Sequence, residues 1–72
     1  MIEKFAETLR KIRKEKNLNQ IKVAMDLNIT QEALSYYENG KREPNLQMLA
    51  NMSKYFNVSI HYLIMGEEFD KK

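Results

Sequence analysis

Gln31, Glu32, Ser35 and Tyr36 fall at positions i, i+1, i+4 and i+5 of one short segment, a spacing that on a helix gathers an amide, a carboxylate, a hydroxyl and a phenol on one side. An amide donates and accepts in one plane, whereas an ionised carboxylate only accepts. Such a set suits an ordered pattern of hydrogen-bonding groups better than it suits general charge attraction. Cations follow in the run Asn39-Gly40-Lys41-Arg42, and Gln20 opens another helix-like segment upstream. Covalent and metal chemistry find little support. His61 is the sole histidine and cysteine is absent, and one imidazole makes neither a catalytic triad nor a metal site. His61 is therefore expected at a surface or interface. Gly40 and Gly66, the two glycines, stand where helices stop and form no phosphate-cradling loop. An enzyme is not expected, nor a metal, a cofactor or a small-molecule site.

A three-residue pattern marks out the elements that must position these groups. Asn17-Leu18-Asn19, Asn28-Ile29-Thr30 and Asn57-Val58-Ser59 each place asparagine, an aliphatic residue and a short polar residue in order. Asparagine tolerates the left-handed conformation that ends a helix. The aliphatic residue folds back on the last turn, and the polar residue caps the next helix. Asn39-Gly40 ends a further helix, and Pro44 with Asn45 prepares the next start. Five helices result. The first carries Ile2, Phe5, Leu9 and Ile12 at helical spacing. The second, about 20–27, offers Val23, Ala24 and Leu27, and the third, about 31–38, offers Leu34 and Tyr37. Both are too short to be stable alone, so packing must hold them. Leu46, Leu49, Met52, Ser53 and Phe56 mark the fourth, and Ile60, Leu63 and Ile64 mark the last. The expected fold is all-α.

Composition agrees with a small, self-sufficient helical body. In 72 residues 43% are apolar, enough for a core, and the length suits one domain. No apolar run approaches the about 18 residues of a membrane span, and Glu3, Glu7 and Glu15 interrupt the start, so a cytoplasmic protein with no membrane partner is expected. The net charge of +2 is unevenly spread. Residues 1–18 hold six Lys or Arg against three acids, residues 19–45 hold three against four, and residues 46–72 hold three of each.

Two short helices joined by a three-residue turn are what a helix-turn-helix requires. Ala24 supplies the small residue at the crossing, Asn28 the positive φ of the turn, and Val23, Leu27, Ile29, Leu34 and Tyr37 the apolar seal. The stretch LNQIKVAMDLNITQEALSYYENGKREPNL followed by LANMSKYFNVSIHYLIMG resembles the Cro and lambda-repressor (XRE-like) type of helix-turn-helix DNA-binding proteins, a prokaryotic and phage family. Gln20, Ala24, the run Tyr37-Glu38-Asn39-Gly40-Lys41-Arg42, Pro44 and the Val58-Ser59 joint carry the resemblance. Asn stands at positions 17, 28 and 57 where the family usually has Gly, and Ile21 and Met25 are more apolar than its norm.

The resemblance implies a five-helix lambda-repressor-like domain over 5–66, a helix-turn-helix over about 20–39 and a short tail at 67–72. It also implies that residues 31–38 enter the major groove of double-stranded DNA. Residue chemistry suits that use, since Gln bonds an adenine edge bidentately and Glu accepts from cytosine N4. The expected DNA-binding residues are Gln20, Thr30, Gln31, Glu32, Ser35, Tyr36, Asn39, Lys41 and Arg42, with Gln20 either on a phosphate or bracing Gln31. By the same resemblance Arg13 pairs with Glu38. Tyr55, Tyr62, Met65 and Phe69 exceed what one small body covers and are the expected homodimer interface. The function expected is transcriptional repression on a two-fold operator. The alternative is a protein-interaction module of the same fold, an antitoxin or adaptor, which Ile21 and Met25 favour.

Overall fold

The computed structural model describes residues 2–68, apart from the Ile2 side chain. They form α1 (Ile2–Glu15), α2 (Gln20–Leu27), α3 (Gln31–Glu38), α4 (Leu46–Phe56) and α5 (Ile60–Met65), with no strand among the described residues. The starts of α2 to α5 each have a side-chain cause. Asn19, Thr30, Asn45 and Ser59 take extended backbone and accept hydrogen bonds from the N–H groups of Lys22, Ala33, Met48 and Tyr62. These bonds satisfy donors that a helix start leaves unpaired.

The helix ends share one device. Asn17, Asn28 and Asn57 lie at φ 58°, 61° and 58°. The aliphatic residue after each donates its N–H to the carbonyl five residues back: Leu18 to Arg13 at 3.1 Å, Ile29 to Ala24 at 2.9 Å and Val58 to Ser53 at 3.1 Å. Together with the inner bonds from Asn17 to Lys14, Asn28 to Met25 and Asn57 to Lys54, this is the Schellman closure. The recurring asparagine triplet is thus a whole joint, with stop, apolar fold-back and next cap. Gly40, at φ +73°, closes α3 in the same way through Lys41 N–H to the Tyr36 carbonyl.

Around these joints α1 packs on α3 and α5, α2 on α3 and α4, and α4 on α5. Phe5, Leu9 and Ile12 of α1 meet Val23, Ala24 and Leu27 of α2, Leu34 and Tyr37 of α3, Leu49, Met52 and Phe56 of α4, and Leu63 of α5 in one core. Burial of such side chains, each stabilising by about 1.5–3 kcal/mol, is what holds the eight-residue helices α2 and α3 in place. Ser53 is only half-buried and donates its hydroxyl to the Val58 carbonyl, bracing the α4–α5 joint. The α5 stripe is narrower than its sequence suggests, because Ile60 is exposed and Ile64 half-buried beside the covered Leu63.

A polar clasp ties α2 to α4. The Tyr55 hydroxyl donates to Asp26 Oδ2 at 2.6 Å, and Lys22 Nζ lies 3.3 Å from the same oxygen. Desolvation first, and then the bond to Asp26, push the Tyr55 phenol up to about 12. The Tyr55 bond also holds the Asp26 carboxyl below its ordinary value. The folded state therefore keeps the Tyr55 proton in a range where the unfolded chain, titrating near pH 10, has lost it. Stability contributed by Tyr55 is present below about pH 10 and lost as pH rises toward about 12. Chemical denaturation from pH 8 to 12 is expected to show a steeper alkaline loss for the parent chain than for Tyr55→Phe. Parallel curves would contradict the clasp.

Candidate nucleic-acid interface

The third helix is locked on one side and open on the other. Leu34, Tyr37 and Glu38 are buried, while Gln31, Glu32 and Tyr36 are exposed and Ser35 is half-buried. The outward groups are linked among themselves. Tyr36 donates its hydroxyl to Glu32 Oε2 at 3.1 Å, and the Arg42 guanidinium stands 5.5 Å from the centre of the Tyr36 ring, a cation–π contact. Asn39 donates to the Ser35 carbonyl at 2.9 Å and to its hydroxyl at 3.2 Å. Lys41 and Arg42 are exposed immediately beyond. Thr30 spends its hydroxyl on the Ala33 N–H as the cap of α3.

Behind this surface lies an ion pair. Arg13 Nε donates to Glu38 Oε2 at 2.6 Å, Nη2 to Oε1 at 3.0 Å, and Nη1 to the Leu18 carbonyl at 2.9 Å. The two residues are only 8% and 3% exposed, so the guanidinium is a bidentate partner in a nearly water-free site. The hydrogen bond to Glu38 raises the Arg13 pKa against the opposing effect of burial. One residue thereby fixes three things: the end of α1, the turn into α2 and the far end of α3.

Gln20 connects the pair to the surface. Its Nε2 donates to Glu38 Oε1 at 3.1 Å, and its Oε1 accepts from Gln31 Nε2 at 3.4 Å. Of the two roles open to Gln20 in the sequence, bracing Gln31 is the geometry present. The residue-level reading missed the Gln20–Glu38 bond, the Leu18 carbonyl and the Tyr55–Asp26 clasp. The last joins residues 29 apart, and no local spacing signals it.

The other groups singled out in the sequence lie elsewhere. Tyr55 is half-buried with its ring edge-on to Phe56 at 4.8 Å, Tyr62 is half-buried, and Met65 is 47% exposed. Phe69 lies outside the described residues. Ile21 and Met25, one turn apart on α2, are 57% and 68% exposed. No helix among the described residues is long and apolar enough to cross a membrane.

Known proteins resemble this chain in sequence. The helix-turn-helix family matches residues 9–63. YqaE of Bacillus subtilis (strain 168), an uncharacterized HTH-type transcriptional regulator, is 45% identical over 67 residues, which cover 93% of this chain and 58% of that protein. The HTH-type transcriptional activator BcrR of Enterococcus faecalis is 42% identical over 64 residues, covering 89% of this chain and 31% of its own. The cryptic phage CTXphi transcriptional repressor RstR of Vibrio cholerae is 30% identical over 64 residues, covering 89% and 58%. The chain thus spans between about a third and three-fifths of the length of these relatives. With the match running from the first helix to the last, the chain belongs to the Cro and lambda-repressor type of helix-turn-helix proteins.

Proposed function

We infer that this chain is a sequence-specific DNA-binding transcriptional regulator, with α3 reading the major groove. One observation carries this: α3 turns Gln31, Glu32, Ser35 and Tyr36 outward while its opposite face is locked to the core, and Lys41 and Arg42 stand at its end. The helix thus presents base-reading groups on a rigid element, with cations beside them for the backbone. Lys41, Arg42 and Asn39 make phosphate contacts, joined by Thr30 and the Gln20 backbone N–H at the helix starts.

Two copies bind a two-fold operator, with half-sites roughly 34 Å apart or a multiple of that. The exposed Met65 and half-buried Tyr62 on α5, with Tyr55 and Phe69, form the pairing surface. Occupancy of such an operator represses transcription, and the relative RstR is a transcriptional repressor. Light scattering at high micromolar concentration is expected to show a dimer.

The first test is salt. Binding to random duplex is expected to weaken linearly on a log–log plot against salt concentration. Lys41→Ala is expected to weaken binding evenly across sequences and reduce the slope by about 1. A duplex-independent protein with no binding at low salt would move the assignment to a protein-interaction module, for which exposed Ile21 and Met25 supply a surface.

A further inference from the structure

Half of the chain's twelve Lys and Arg residues fall within residues 1–18, and contacts on the two flanks of α1 sort them. On one flank Ala6 and Arg13 both meet the far end of α3. A Cβ placed on Gly40, in the loop that leaves α3, would lie 3.9 Å from the Ala6 Cβ, and Arg13 is bonded to Glu38, the last residue of α3. Arg10 stands four residues after Ala6 and three before Arg13, so it shares their flank. The opposite flank faces the end of α5, where a Cβ on Gly66 would come within 2.8 Å of Lys4 Cδ and 3.2 Å of Thr8 Oγ1. Lys11, three residues after Thr8, lies on that side.

Arg10 is thus bracketed by two residues that meet the end of α3 and the loop leading into Lys41 and Arg42. Lys14, four residues further along the same row, extends the line by about 6 Å. Both are exposed, and among the described residues neither takes part in an ion pair. Two cations four residues apart on a helix repel each other, so their juxtaposition costs the free protein stability. Lys14 lies in the last turn of α1, where a cation complements the carbonyl end. Arg10 lies a turn earlier, beyond that field, and the helix end does not account for it.

We propose that Arg10, continued by Lys14, is a phosphate-binding edge of the DNA surface, carrying the row of Lys41 and Arg42 across the end of α3 onto α1. This rests on the DNA-binding reading above and extends it to a helix that holds no base-reading group. Phosphates are the occupant the chemistry selects, because they repeat along each strand with uniform charge and a guanidinium meets two of their oxygens at once. Such an edge adds affinity and register but no sequence preference.

Salt dependence separates contact from overall charge. Arg10→Gln, Lys14→Gln and Lys11→Gln each remove one positive charge from an exposed position of the same helix, at nearly the same helix propensity. Their melting temperatures are expected to stay within a few degrees of the parent's. On random duplex the log–log slope against salt is expected to fall by about 1 in Arg10→Gln and by about 2 when Lys14→Gln is added, with the ranking of duplexes unchanged. Lys11→Gln is expected to keep the parent slope. A slope unmoved in the double variant would overturn the proposal, and so would an equal fall in Lys11→Gln, which would trace the effect to net charge. Parent binding whose slope responds to Lys41→Ala but not to the double variant would remove the edge and leave the DNA-binding reading standing. A parent chain that binds no duplex at low salt would overturn both together.

Discussion

Arg13→Ala and Glu38→Ala are each expected to lower the melting temperature by about 15 °C or more. The reason is the asymmetry of a buried pair. Arg13 and Glu38 are 8% and 3% exposed and joined by two hydrogen bonds, so removing one partner strands the other charge largely away from water. Such losses run to about 3–5 kcal/mol, and each kcal/mol moves the midpoint of a domain this size by about 4–8 °C. A chain of this length has only about 4–11 kcal/mol in total, so either variant sits near the threshold of folding. Arg13→Ala also strips the Leu18 carbonyl of its partner. Removing both charged residues should cost less than the two single losses added together, because no unpaired charge is left. Two single-variant shifts below about 5 °C would show the pair to be worth no more than a surface salt bridge.

Gln31→Ala is expected to leave the fold intact and erase discrimination at one base pair. Gln31 is exposed at the first turn of α3 and contributes nothing to the core, so its melting temperature should stay within a few degrees of the parent. A bidentate amide contact is worth about 1–3 kcal/mol of discrimination, which corresponds to a fall of about fivefold to 150-fold in preference at that position. Competition binding against duplexes varied one position at a time reads this directly. Equal weakening on every sequence would assign Gln31 to the phosphate backbone instead.

Much of this architecture is legible in the sequence because it is written in local chemistry. Asn17, Asn28 and Asn57 announce the helix ends through a conformation few other residues tolerate, and the cap two residues later is a local preference as well. The apolar stripes through Leu9, Leu34 and Leu63 follow from helical spacing alone. The outward face of α3 is legible for the same reason, since Leu34 and Tyr37 fix which side faces in. Contacts between distant residues are a different matter. Nothing near Asp26 marks Tyr55 as its partner, and nothing near Gln20 reveals that its amide divides between Glu38 and Gln31. These depend on how α2 crosses α3 and α4, which packing decides. Ile60 shows the converse: it fits the α5 stripe by spacing, yet it is exposed, and only Leu63 of that helix is fully buried.

The modest net charge of +2 acquires a physical meaning from this arrangement. Lys41 and Arg42 sit beside α3 and Glu32 stands within it; on the proposed reading Glu32 penalises sequences that offer it no donor. On the same proposal, affinity from few phosphate contacts is compounded by two copies acting together.

Selection of bound fragments from a pool of random duplexes tests the central claim most directly, because it registers DNA binding, base preference and half-site spacing at once. The expected result is an enriched two-fold sequence with half-sites roughly 34 Å, or a multiple of that, apart. A pool recovered without enrichment at low salt would contradict the assignment of α3 as a reader of DNA sequence.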